Sequence, residues 1–286
     1  LLVILRIKRF SIIYSITERI LRNNEFICGA AIAFEPHYYT SEGRYFSPYS
    51  YRDEKGEIRS KQLGNESYDY HYMDWYQIPK LLNEAYWSEP YYDDGGGEMM
   101  MTTYSKPLYD EYGHMYAIIT ADLSLEWLTE LVGGIQAFER SYNLMVSRNA
   151  SFIVHPDHNL ILNETIYSST YGDDDESLKK MQDDMVNCRA GQVLRDMKGG
   201  KYFVFYSPVE TTCWSVAIVC PRSELYLGVK KLRGFLIILG LFMLLLMMYL
   251  SYHGIRKVVA PVEDFSDVAK KIAHGEFEAE LPEIRS

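Results

Sequence analysis

EMMMTTYSKPLYD (98–110) and MYAIITADLS (115–124) are two long runs rich in apolar, β-branched and aromatic residues. The turn residues Asp110 to Gly113 lie between them, so the pair reads as two antiparallel strands joined tightly. Upstream, FICGAAIAF (26–34), YFSPYSY (45–51) and residues 57–63 read as further strands. Between these groups, Tyr70 to Tyr86 places Trp75, Ile78, Leu81, Leu82 and Ala85 on one side of a helix. Downstream, Leu125 to Val132 forms a short helix that Gly133 and Gly134 end.

The order then repeats in shorter form. YNLMVSRNASFIV (142–154) reads as a hairpin around Arg148 and Asn149. Asp173 to Met185 reads as a helix with acids at its start, where the macrodipole favours them. Strands at 192–197, 201–209 and 214–220 complete the second set. Residues 1–23 carry Val3, Ile7, Phe10, Tyr14, Thr17 and Leu21 at alternating spacings of four and three, an amphipathic helical seam with one polar member. The fold class is therefore α+β, with a long first helix and two tandem β-rich units, each holding a helical insertion.

GFLIILGLFMLLLMMYLSY (234–252) contains no charge and at helical rise spans about 28 Å, close to a bilayer's hydrocarbon core. Tyr249 and Tyr252 suit an interfacial position. Basic residues flank the segment on both sides, so the size and acidity of the preceding region decide orientation. That region, residues 1–233, is expected outside the membrane, and residues 253–286 in the cytoplasm. The six expected segments are a stalk helix (1–23), a membrane-distal unit (24–134), a membrane-proximal unit (135–222), a juxtamembrane helix (223–233), the span (234–252) and a terminal coiled segment (253–286). Residues 1–23 are expected to follow an earlier transmembrane span. After the span at 234–252, Val258, Val262, Phe265, Ala269 and Ile272 again alternate four and three, a heptad seam that predicts a parallel homodimer.

The net charge of −10 sits mainly in the region before the span, and no concentrated basic face exists, which excludes a nucleic-acid binder. GxSxG, HExxH and Walker sequences are absent, so no catalytic residues are assigned. His155 and His158 flank a Pro turn without a third ligand, and Asp173 to Glu176 lack EF-hand spacing; no metal or cofactor is expected. Asp93 to Glu98 reads as a tight loop. Cys28, Cys188, Cys213 and Cys220 read as four separate thiols, with a Cys213–Cys220 bridge as the alternative in an exported domain.

These strings carry a family likeness. VVAPVEDFSDVAKKIAHGEFEAELPEI (258–284) resembles the first helix and connector of a HAMP domain. GAAIAFEPHYY (29–39), GRYFSPYSYR (43–52), MDWYQIPK (73–80), residues 86–110 and MYAIITADLSLEWL (115–128) resemble the membrane-distal half of a double Cache domain. GGKYFVFYSPVETTCWSVAIVCP (199–221) resembles the closing strands of its membrane-proximal, PAS-like half. The resemblance implies a bacterial transmembrane receptor that senses a small molecule outside and drives an output module expected beyond Ser286. A membrane-anchored structural or dimerisation ectodomain and an extracytoplasmic hydrolase are the alternatives.

Sixteen of the 25 Tyr fall between Phe34 and Tyr116, together with Trp75 and Trp87. Such side chains suit a pocket around a small amphipathic ligand. The proximal unit shows few convergent polar groups beside Trp214 and Tyr206, so the distal unit is the expected site. The resemblance to amino-acid-binding double Cache domains places Tyr68, Trp75, Tyr76, Tyr91 and Asp122 at ligand positions. Met73 stands where that pattern has an Arg for the ligand carboxylate. An amine, or an amino-acid derivative without a free carboxylate, is therefore the expected ligand, unless Arg52 or Lys80 supplies the cation. Two roles are open to Asp122: contact with a ligand ammonium, or capping of the helix that follows.

Overall fold

The computed structural model describes residues 2–197, 199–255 and 260–274. The chain forms two units, one ending at Glu224 and one beginning at Leu225. In the first, α1 (Leu2–Asn23) leads into β1 (Ile27–Phe34), β2 (Pro48–Arg52) and β3 (Ile58–Gln62). There follow α2 (Asp74–Leu82), the short strands β4 (Tyr86–Trp87) and β5 (Tyr91–Tyr92), and the long pair β6 (Met100–Tyr109) and β7 (Met115–Ser124). These strands build one seven-stranded antiparallel sheet in the order β3-β2-β1-β7-β6-β4, with β5 also on β6.

The centre of this sheet is β1, whose run GAAIAF is buried throughout. Alternation sends Ile32 and Phe34 to one face, where they meet Phe10, Ile13 and Phe46. Ala31 and Ala33 face the other way, toward Tyr49, Tyr70, Trp75 and Tyr76. The described part of the first-helix seam is thus used inside the chain: Thr17 and Leu21 are buried and Phe10 and Tyr14 half-buried, with Ile13 buried beside them. Thr17, its one polar member, shares a 2.7 Å hydrogen bond with the buried Ser50 of β2. Arg52 closes the other end of α1 by donating to the carbonyls of Leu21 (2.6 Å) and Ile27 (3.2 Å). The expected helix over Tyr70–Tyr86 is shorter than its periodicity suggests. A 3₁₀ turn at Tyr70–Tyr72 precedes α2, and Asn83 in the left-handed region ends it.

The second sheet is antiparallel in the order β10-β11-β12-β8-β9. Its strands are β8 (Tyr142–Val146), β9 (Phe152–Val154), β10 (Gly191–Met197), β11 (Gly200–Pro208) and β12 (Ser215–Pro221). Helix α3 (Leu125–Gly133) follows β7 directly, yet Leu125, Leu128 and Val132 pack on Met145, Ile153, Val154 and Trp214 of this second sheet. Helix α4 (Glu176–Val186) covers the opposite face through Leu178, Met181 and Met185. Each sheet is thus covered by helices on both faces, which buries its apolar sides.

Helix α5 (Arg222–Leu225) ends the first unit, and Glu224 anchors it by accepting from Arg140 Nε at 2.6 Å. The second unit contains α6 (Leu227–Gly254) and α7 (Ala260–Ala273). The 28 residues of α6, with a mean hydropathy of 2.4 over their most apolar window, make it a candidate membrane span. On α7, Val262 and Phe265 are exposed. The expected coiled-segment features at Gly275 and 281–284 lie outside the described residues.

The cysteines depart from both sequence expectations. Cys188, just past α4, is bonded to Cys213 in the turn before β12, with Cα atoms 5.2 Å apart; Cys28 and Cys220 are free. Packing of α4 on the sheet brings these two turns together, which sequence spacing does not encode. A crosslink between cysteines 25 positions apart contributes about 3 kcal/mol. The Cys188→Ser variant should therefore lower the urea midpoint, and reductant should do the same to the wild type but not to the variant. Equal midpoints for wild type and variant without reductant would show that the bridge adds nothing.

Candidate functional site

The registers of the first sheet assemble a row of side chains on the face opposite α1. Gly29 of β1 pairs with Asp122 of β7, and Asp122 with Thr103 of β6. One pleat further on, Tyr49 pairs with Ala31, and Ser105 with Thr120. Period two keeps Gly29, Ala31, Thr120, Asp122 and Thr103 on the same face. Above them lies a cavity of about 10 Å³, space for about one water molecule. Tyr68, Trp75, Tyr91 and Asp122, all expected from sequence, line it.

Tyr76 does not line the cavity. It is buried in the adjoining core, and its hydroxyl donates to Glu35 Oε1 at 2.7 Å, an oxygen also held by Lys80 Nζ at 2.6 Å. Lys80 is thereby engaged away from the cavity, and Arg52 is committed to the end of α1. Neither replaces the absent Arg. Met73 packs at the edge of the aromatic core as the N-cap position of α2. The capping alternative for Asp122 fails as well, because Ser124 caps α3 by accepting from Trp127 N–H at 3.0 Å.

Asp122 is 4% exposed, and its Oδ1 accepts from Thr103 Oγ1 at 2.9 Å. The single Thr103 proton is used there, so Tyr91 O–H is the donor in the 2.7 Å contact between the two hydroxyls. Tyr49 Oη, also buried, borders this carboxylate and lacks a completed hydrogen bond. Sequence reasoning missed a second carboxylate. Asp93, also 4% exposed, accepts from Gly97 N–H at 2.5 Å and from the Tyr68 hydroxyl at 3.1 Å. Its glycine-rich loop is a turn, but one that presents an acid inward. The alternation of buried and exposed positions around β5 could have found it.

Among the described residues no Lys, Arg or His lines this cavity. The nearest basic influence is Lys61, whose Nζ donates to Gly96 O at 2.7 Å and lies over the Tyr51 ring. Burial first, and the neighbouring Asp93 second, push the Asp122 carboxyl up to about 7. Burial likewise raises Asp93, against the opposing pull of Gly97 N–H, Tyr68 and Lys61. Two buried acids, Asp122 raised in part by Asp93, thus face one small cavity walled by aromatic rings, an arrangement suited to a cation.

The raised acid sets a sign for stability against pH. The folded chain keeps a proton on Asp122 until about pH 7, whereas an unfolded Asp loses it near pH 4. Stability from this group is therefore greatest below that range, falls as pH rises through it, and levels off above. Asp122→Asn should remove this slope and be the more stable protein at pH 8, by up to about 4 kcal/mol. The difference between the two proteins isolates Asp122 from His155, whose depressed pKa acts in the opposite direction. Parallel melting curves for the two proteins from pH 5 to 8 would refute it.

Known proteins share this architecture. A family model described as methyl-accepting chemotaxis protein-like, first PDC sensor domain, matches residues 13–130. The methyl-accepting chemotaxis protein PscA of Pseudomonas syringae pv. tomato is 22% identical over 232 residues, covering 78% of this chain and 34% of that protein. The chain thus spans about a third of the length of that curated relative. The extracellular domain of the histidine kinase mmHK1S-Z3 superposes with a TM-score of 0.63 at 29% identity, over 76% of this chain and 81% of that one. The periplasmic sensory domain of the Campylobacter jejuni chemoreceptor Tlp1 shares the fold, with a TM-score of 0.55 at 14% identity over 72% of this chain and 76% of that one. Residues 13–130, which hold the aromatic, acid-floored sheet, thus match a PDC-type sensor domain, and the chain is similar to the extracellular sensor domains of histidine kinases and chemoreceptors.

Proposed function

We propose that this chain is the sensing part of a membrane receptor whose distal unit binds a small cationic ligand, a primary amine, between Asp122, Asp93 and the aromatic wall. The observation that carries this reading is the pair of buried carboxylates in a cavity without a basic lining residue. A ligand ammonium would balance the charge of Asp122 while Asp93, raised by burial, can keep its proton, and Tyr68, Trp75 and Tyr91 would contribute cation–π attraction. Met73, which has no donor, supports the exclusion of a ligand carboxylate. Because the cavity is close to filled, binding requires an outward movement of the Asp93–Glu98 loop, which would open the Tyr68 and Gly97 contacts of Asp93 and enlarge the space. In this reading residues 1–233 lie outside the membrane and 253–286 in the cytoplasm, the terminal segment is the start of a HAMP domain, and the segment itself performs no catalysis.

The test is calorimetry on the 286-residue chain in nanodiscs with isobutylamine and valine, an amine and its parent amino acid. Isobutylamine should bind at least tenfold tighter at pH 8, and Asp122→Asn should abolish its binding. Affinity should fall by up to tenfold per pH unit below about 7, because the ligand must then displace the Asp122 proton. Tighter binding of valine, or amine binding that survives Asp122→Asn, would overturn the reading.

The same reading includes a parallel homodimer. The exposure of Val262 and Phe265 on α7 supports it, since an apolar seam left in water needs a partner. Cysteine at Phe265 should crosslink in membranes at least fivefold faster than cysteine at Asp267, on the polar side. Equal rates would sink the dimer.

A further inference from the structure

The proximal unit contains a cavity of about 220 Å³ between α4 and the second sheet. Its walls are Leu178, Met181 and Met185 from the helix and Phe152, Val204 and Val219 from the strands. One charged side chain enters this apolar space. Along β10 the inward positions are Val193, Arg195 and Met197, so alternation turns Arg195 toward the helix. The Arg195 side chain is 11% exposed. Its Nη2 is held by Asp173, but its buried Nη1 has no hydrogen-bond partner.

A buried guanidinium nitrogen left unpaired costs several kcal/mol in an apolar wall, and native interiors rarely tolerate one. The other polar groups nearby are satisfied. Gln182 donates to Ile166 O and to Thr170 Oγ1, and Thr170 donates to Ile166 O. His155, which also lines the cavity, accepts from Asp157 N–H through Nδ1. Its neutral ring therefore carries its proton on Nε2 and is a second donor.

We propose that this cavity is a second ligand site, separate from the distal one, for a monocarboxylate with a small apolar body, its carboxylate accepting from Arg195 Nη1. An apolar cavity of about 150 Å³ encloses a benzene molecule, so 220 Å³ suits a single ring or branched alkyl group with a one-carbon carboxylate arm. Asp173 competes for the same guanidinium and, being partly exposed, sets the strength of the anion site rather than closing it. The missed signal in sequence was an Arg at an inward strand position between Val193 and Met197.

The probe is phenylacetate, with phenylacetamide as its uncharged counterpart, titrated into the 286-residue chain in nanodiscs. Phenylacetate should bind once per chain and at least tenfold tighter than the amide. Arg195→Met should abolish acid binding, Arg195→Lys should retain part of it, and Asp173→Asn should tighten it several-fold. Asp122→Asn should leave it unchanged, which separates failure here from failure of the distal amine site. Equal binding of acid and amide, or unaltered acid affinity in Arg195→Met, would overturn the proposal. Should Arg195→Met fail to fold, Asp173→Asn decides alone: unchanged or weaker acid binding refutes the site.

Discussion

A carboxylate buried in the middle of a seven-stranded sheet is the constraint around which that sheet and its helices are arranged. Asp122 occupies a central strand and is shielded from water, so every neighbour either accommodates its protonation or is positioned by it. Gly29 makes the arrangement possible. A Cβ there would lie 2.3 Å from both Asp122 Oδ2 and Tyr49 Oη, closer than any real contact. The absent side chain is the space in which the acid and the phenol meet. Register is fixed by the same requirement. A slip of one residue would turn Asp122 toward α1 and the apolar layer of Ile32 and Phe34, where no donor comparable to Thr103 is in place.

The proximal unit repeats this device with the opposite electrostatics. Gly191 of β10 pairs with Tyr206, and a Cβ at Gly191 would lie 2.4 Å from the Tyr206 hydroxyl. That hydroxyl donates to Asp184 at 2.8 Å, so glycine, tyrosine and aspartate again converge. Here, however, Lys180 and Arg189 both bond the carboxylate, at 2.5 and 2.7 Å, and hold its pKa far below the usual range. The same three residue types thus give a saturated structural knot in one unit and a cation-deficient cavity in the other. The number of basic partners distinguishes them, not the identity of the acid.

Much of the fold was legible because its signals are local. The β6–β7 pair, the small residues of β1 and the charge-free helix all carry their periodicity within a dozen or so residues. Tyr68, Trp75, Tyr91 and Asp122 were named through a resemblance, and they meet at one cavity. Tyr76 did not follow, since on α2 the residue after Trp75 turns by about 100° to a different contact. Tyr49, Asp93 and Thr103 were missed for a different reason. They come from β2, the loop after β5, and β6, which only the strand order brings together. The Cys188–Cys213 pair was hidden in the same way, by the docking of a helix onto a sheet.

Within the first unit the two sheets share a mechanical link that bears on how occupancy could be felt beyond the cavity. Thr103 sits on β6, one and two positions from Tyr104 and Ser105, which pair with Trp87 and Tyr86 of β4. Arg148, at the turn between β8 and β9, grips that short strand through the Tyr86 hydroxyl (2.6 Å), the Trp87 carbonyl (2.9 Å) and nearby Glu89 (2.9 Å). Its guanidinium also lies over the Tyr86 ring at 4.7 Å. An occupant that displaces Tyr91 or Thr103 must shift β6, and β6 is where the edge strand held by Arg148 is attached. Such a connection transmits a signal only if the ligand binds one arrangement of β6 and β4 better than another. In the proposed reading the buried carboxylate would supply that differential. Its proton and a ligand cation compete for one oxygen pair, so the arrangement favoured by the neutral acid differs in interaction energy from the one favoured by the ion pair.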